Sequence, residues 1–209
     1  MNRLRRFFQA LKAERTFLIM STLTFIIFSI IGYTNYQEIM QYLKQMGAFE
    51  QIQEAVDQID RNPTFINAFL TLYVKNMVAS FSMIGLGFFF GIIPLISLIS
   101  NGLMLGVALA SAAEVTGAHP FTLFMTTILP HGILEIPALI IAASLGIRFG
   151  VFIIRGFIGI FSRTVMEENK KDWKELRQHI GVLMISVTIL LFLAAMIESA
   201  LVIYVKPLG

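Results

Sequence analysis

The chain has 209 residues, of which 56% are hydrophobic, 12% aromatic and only 14% charged. Long runs without charge at that composition exclude an ordinary soluble domain and read as a multi-spanning membrane protein, and the lack of cysteine excludes disulfides and thiolate metal chemistry. The formal charge of +3 is unevenly spread, so it bears on topology rather than on nucleic acid.

Residues 1–15 carry Arg3, Arg5, Arg6, Lys12 and Arg15, with Leu4, Phe7, Phe8 and Leu11 spaced i, i+3, i+4, i+7. That pattern fits an amphipathic helix on an anionic inner leaflet, or a simple positive-inside anchor. The first span is expected over Phe17 to Tyr33; no small-residue cleavage site follows it, so it does not read as a signal peptide. Residues 36–64 form an extracytoplasmic insertion, expected as two short amphipathic helices hinged near Gly47 and ended by Asn62-Pro63. On the second of these, Glu50, Glu54 and Asp57 make an acidic stripe, either a solvated face or a partner-docking surface.

Residues 65–115 are too long for one span and break most naturally around Gly91 to Pro94, giving helices over about 67–91 and 93–117. Lys75, Asn76 and Asn101 then lie within the membrane. After the loop Ala118-His119-Pro120, a fourth span runs to Ile147, and a last one occupies roughly residues 180–205. Between them, residues 148–178 form a basic cytoplasmic loop. Its apolar part, 149–161, is short and interrupted by Arg155, so it is expected along the inner interface. Five bases before the first span and seven before the last put the N-terminus in the cytoplasm and the C-terminus outside, in a bacterial cytoplasmic membrane.

Within the fourth span, Pro130-His131-Gly132-Ile133-Leu134-Glu135-Ile136-Pro137 sets an imidazole and a carboxylate four apart, on one helix face. The two prolines predict a kinked backbone with spare carbonyl oxygens. Ionisable groups at such depth are functional candidates. Counting helical rise, His131, Glu135, Glu198, Asn76 and Asn101 converge at or just outside the midplane, unless each independently hydrogen-bonds a neighbouring helix. Gly102, Gly106 and Ala110 repeat every four positions, as do Ala138, Ala142 and Gly146, and Gly87 with Gly91. Such stripes let helices approach backbone to backbone, so the three central spans are expected to pack tightly and the first to lie more peripherally. Ser100-Asn101-Gly102 faintly echoes Pro130-His131-Gly132 in the oppositely directed span, the placement that inverted repeats give to a binding site, although chance explains so short an echo equally well.

Asn76, Asn101-Gly102 with Gly106, the block from Pro130 to Ala138, and Glu198 together resemble the stage II sporulation protein M family over nearly the whole chain. The resemblance implies an all-helical integral membrane protein. In spore formers it further implies septal peptidoglycan remodelling during engulfment, as a membrane partner of secreted hydrolases. The branch dedicated to sporulation departs at His131 and Glu135, so the chain is nearer to the wider branch.

Three function classes follow. The first is an envelope assembly factor or scaffold with envelope or peptidoglycan-remodelling partners. The second is a divalent metal site of His131, Glu135 and Glu198, zinc being the most natural ion for imidazole and carboxylate, structural or hydrolytic. A transporter with a midplane site is the third. Recognisable His-Glu-x-x-His spacing is absent, which favours a non-enzyme. The expected architecture is therefore a single all-α membrane domain over 1–209, about five spans with an extracytoplasmic helical hairpin and an inner interfacial helix. Asn76 and Asn101 form its polar centre, and Gly102, Gly106, Gly132, Pro130 and Pro137 its packing points. A homo-oligomer is left open.

Overall fold

The computed structural model describes residues 3–47 and 49–204; at 3, 4, 51, 52, 127 and 131 only the backbone is described. The described residues form helices and turns throughout: α1 (Arg3–Ala13), α2 (Arg15–Thr34), α3 (Tyr36–Gln45), α4 (Glu50–Arg61), α5 (Phe65–Gly85), α6 (Ile92–Thr116), α7 (Pro120–Leu123), α8 (Leu129–Gly159) and α9 (Arg163–Tyr204). Five of these helical stretches are long and apolar enough to cross a membrane: α2, α5 with the turn after it, α6, Gly132–Gly159 of α8, and α9. Outward-facing Ile19, Leu23, Ile27 and Ile30 on α2, and Val74 and Val78 on α5, suit lipid rather than water.

The α3–α4 hairpin turns at Gly47, whose φ of +69° is the left-handed backbone that glycine adopts without strain. Its helices form because apolar residues recur at helical spacing: Leu43, Ala55 and Ile59 are buried while Glu50, Glu54 and Asp57 face outward. Thr64 then caps α5, its hydroxyl accepting from the Asn67 N–H at 3.3 Å.

The break between the second and third spans falls slightly earlier than expected. α5 ends at Gly85, a 3-10 turn covers Leu86–Phe88, and Gly91 starts α6 at φ +74°. Neighbouring Phe90 also takes a positive φ of 55°, a strained choice for a bulky residue. The turn tolerates it because it sits directly on α8. A Cβ on Gly150 would lie 2.1 Å from the Gly91 nitrogen, and one on Gly146 would lie 2.4 Å from the Met83 carbonyl.

α8 is the central helix, and Ala138, Ala142, Ala143 and Leu145 on it are wholly buried. One of its faces meets Leu183, Val187 and Leu191 of α9; another joins Phe25, Met83 and Leu98. The first span keeps much of its surface outward, yet α2 packs closely along α6, a seam that small-residue stripes in the central spans alone did not indicate. A Cβ on Gly106 would meet the Ser29 carbonyl at 2.0 Å, and one on Gly32 the Leu103 carbonyl at 2.4 Å. Gly32 on α2 completes the seam, and a lone glycine carries no periodic signal.

Two more boundaries differ. Residues 149–161 do not form a separate interfacial helix, because α8 continues unbroken through them to Gly159. Arg155, the one charge in that run, donates to Asp172 of α9 at 2.5 Å, which offsets it. The basic loop is largely helical as well. At 42 residues α9 is about 63 Å long, twice a bilayer core of about 30 Å, so its charged first part projects beyond the span. Near its start, the Asn169 amide donates to the Phe152 carbonyl at 3.1 Å and joins the two helices.

α1 is amphipathic as expected, but its apolar face is partly committed to protein: Ala10 is wholly buried and shares a core with Leu176 of α9. The backbone break before the His-Glu motif takes the form of a π-helical turn over Phe124–Ile128, just upstream of Pro130. Pro137, by contrast, is accommodated inside α8.

Candidate functional site: an ionisable centre inside the bundle

Three helices bring the centre together. Lys75 and Asn76 sit about 15 Å along α5 from its start, Glu135 is in α8 one turn past Gly132, and Glu198 is about 9 Å from the end of α9. The Asn76 side-chain amide donates a hydrogen bond to the Glu135 carboxylate. Glu135 and Glu198 lie within electrostatic range of one another and of the Lys75 amine. All four side chains are half-buried. Glu54, on the exposed face of α4, also lies within electrostatic range of Lys75, so the acidic hairpin approaches the centre from one side.

Asn76 and Glu198 are therefore each close to Glu135. Asn101 is not among their described partners: it is exposed on α6, and its amide donates to the Ser97 carbonyl of its own helix at 2.8 Å. His131 belongs to the helical backbone of α8, and its side chain lies outside the described residues. Gly102 and Gly106 are backbone contact points, whereas a Cβ on Gly132 would meet only Ile128 and Ile136 of the same stretch of chain. Pro137 is exposed on α8 and Pro130 half-buried.

Lys75 is the member that depth counting left out of the site. A lysine within a span adjoining Asn76 was itself the signal, because an ammonium in that setting requires a partner as much as a carboxylate does. Its presence changes the chemistry available, since an ammonium competes with a divalent ion for the same carboxylates. Among the described residues, no three of His, Asp and Glu gather into a group that could hold a metal. A zinc site would therefore need the His131 imidazole.

A second buried charge pair was not anticipated. Glu14, at the bend between α1 and α2, is wholly buried and accepts a hydrogen bond from Arg148 of α8. The Arg148 guanidinium also lies 5.8 Å from the Phe17 ring centroid and 5.4 Å from that of Phe152. Glu14 stands in a charged segment and Arg148 among the bases that set topology, so nothing in either pattern linked them.

These elements define a polytopic α-helical membrane protein with ionisable side chains inside its bundle. The chain belongs to the stage II sporulation protein M family, whose pattern matches residues 19–202. That range takes in Lys75, Asn76, Glu135 and Glu198 and leaves out Glu14. An uncharacterized protein of Methanocaldococcus jannaschii is 31% identical over 139 residues, 66% of this chain and 71% of that protein. No solved structure matches.

Proposed function

We propose that this family member is an envelope membrane protein whose centre of Lys75, Asn76, Glu135 and Glu198 binds and exchanges a proton or a small cation. One observation carries the reading: two carboxyl groups from different helices lie within electrostatic range of each other and of one lysine inside the bundle. With all three ionised, one negative charge is left over, and inside a membrane that charge calls for a proton or a cation. Glu54 supports exchange rather than permanent occupancy, because it extends the negative field from the centre towards the exposed hairpin. The placement of bases supports a cytoplasmic N-terminus and an external hairpin and C-terminus.

The test is reconstitution into liposomes with an internal pH dye, under imposed proton, sodium and potassium gradients. The protein should dissipate one of the gradients, and Glu135→Gln and Glu198→Gln should each abolish that flux while retaining the fold. Wild-type flux equal to that of both variants would overturn the reading. Elemental analysis of the same protein addresses the zinc alternative, in which His131, Glu135 and Glu198 hold stoichiometric metal that His131→Ala loses.

A scaffold role in envelope assembly is the second reading, favoured by the α3–α4 hairpin with its outward Glu50, Glu54 and Asp57. Partners in peptidoglycan remodelling, with or without sporulation, belong to this reading. Charge reversal of those three residues should release a bound partner and leave the bundle folded.

A further inference from the structure

At the other end of the bundle, where the bases of α9 gather, a groove of about 400 Å³ opens between α5, α8 and α9. Its walls are almost wholly apolar, with Gly85 of α5, Phe149 and Phe152 of α8, and Trp173, Ile180 and Met184 of α9 among them. From Trp173 to Met184 the helix rises about 17 Å, roughly half of a bilayer core about 30 Å thick. The groove is thus as long as one leaflet is deep. Trp173 stacks edge-on against both Phe149 and Phe152, and tryptophan is the side chain that concentrates at membrane–water interfaces.

Charge is placed to match. The groove residues of α9 fall at i, i+7 and i+11, and Arg177 stands at i+4 on the same face, between Trp173 and Ile180. Arg177 is exposed and has no ion pair among the described residues, whereas nearby Arg155 and Lys170 are matched by Asp172 and Glu167. An apolar trough one leaflet long beside an unmatched guanidinium has the shape and charge of a single amphiphile with an anionic head.

We infer that the α5–α8–α9 groove is a binding site for one anionic glycerophospholipid, with an acyl chain in the trough from Trp173 to Met184 and the phosphate held at its Trp173 end by Arg177, whose side chain extends back towards the start of α9. This does not depend on the ion centre described above. Gly85 supplies the control, because a Cβ there meets nothing within 4 Å and its helical φ of −65° suits any residue. A leucine at that position occupies the trough without displacing the fold.

Trp173 is the only tryptophan in the chain, so its fluorescence reports on this groove alone. The protein is reconstituted in two matched mixtures: acyl-brominated phosphatidylglycerol in plain phosphatidylcholine, and brominated phosphatidylcholine in plain phosphatidylglycerol. Bromine quenches tryptophan on contact, so unequal quenching measures selection of one lipid at the site. Brominated phosphatidylglycerol should be favoured about fivefold, the weight of one base near an anionic phosphate. Arg177→Gln should bring the two mixtures to equality, and Gly85→Leu should reduce quenching in both, with Ile180→Phe as a second filling variant if Gly85→Leu does not fold. Equal quenching in the wild type, or a preference that survives both Arg177→Gln and groove filling, overturns the proposal. So does a wild-type dimer in detergent that Gly85→Leu converts to monomer, because the groove would then seat a second copy of the chain.

Discussion

The Glu14 carboxylate, wholly shielded at the bend between α1 and α2, accepts a hydrogen bond from the Arg148 guanidinium 134 positions later in α8. The pair fixes the start of the first span to the central helix, and its second carboxylate oxygen has no hydrogen-bond partner among the described residues. Removing one partner leaves the other charged and buried, so Arg148→Ala should cost about 3–5 kcal/mol. A double variant, Glu14→Leu with Arg148→Met, should lose much less, because no lone charge remains. Thermal unfolding of the wild type, Glu14→Leu, Arg148→Met and the double variant in one detergent measures the coupling, and additive single losses would show that the pair is not a unit.

At the ion centre, the Asn76 amide is hydrogen-bonded to the Glu135 carboxyl group. A hydrogen bond contributes about 0.5–1.5 kcal/mol net, so Asn76→Leu should destabilise the bundle by that order. Asn101→Leu should cost far less, since the exposed Asn101 amide bonds only to its own helix. Chemical unfolding of both variants in lipid nanodiscs compares them directly.

Close approach of α2 and α6 makes a sharper test. Because a Cβ on Gly106 would fall 2.0 Å from the Ser29 carbonyl, Gly106→Leu must push two backbones apart. Overpacking of this kind typically costs about 1–3 kcal/mol, and here the obstacle is backbone that cannot rotate away. Expression and melting of Gly106→Leu against Gly85→Leu check it: the first should fall sharply and the second hold near wild type.

The chain has no cysteine, so topology can be read on a clean background. Met46 is 82% exposed beside the hairpin turn, and Lys171 is exposed on the projecting part of α9. An impermeant thiol reagent added outside whole cells should label Met46→Cys and spare Lys171→Cys until the membrane is opened. Labelling of both from outside would require another span count.

Outside the spans, Tyr36 at the start of α3 donates a hydrogen bond to the Glu114 carboxylate near the end of α6. That bond raises the phenol above its usual 10.0, because deprotonation would set two negative charges together. A folded-state value above the unfolded one gives a contribution that is present below pH 10 and lost as pH rises through the raised value. The hairpin should therefore loosen from α6 only in strong alkali, and Tyr36→Phe should show the looser state at neutral pH. Spin-label distances from α3 to α6 across that range would detect it.

Much of this protein is set by sequence alone, because a bilayer leaves the chain few options. Uncharged runs of about 20 residues in lipid have to satisfy their own backbone groups, so the five spans and the hairpin at Gly47 follow from composition and spacing. Helical rise also converts position into depth, which made Asn76, Glu135 and Glu198 candidates for one level. Depth, however, says nothing about rotation about the helix axis or about which helices are neighbours. Asn101 lies on an exposed face of α6, and Lys75 joins the carboxylates, for that reason alone. The same limit separated Glu14 from Arg148 and hid the seam at Gly32: both depend on which surfaces meet, and helix packing decides that through contacts between residues far apart in the chain. The extension of α8 through Arg155 was likewise a tertiary outcome, made tolerable by Asp172 on a helix that sequence patterns read as a loop.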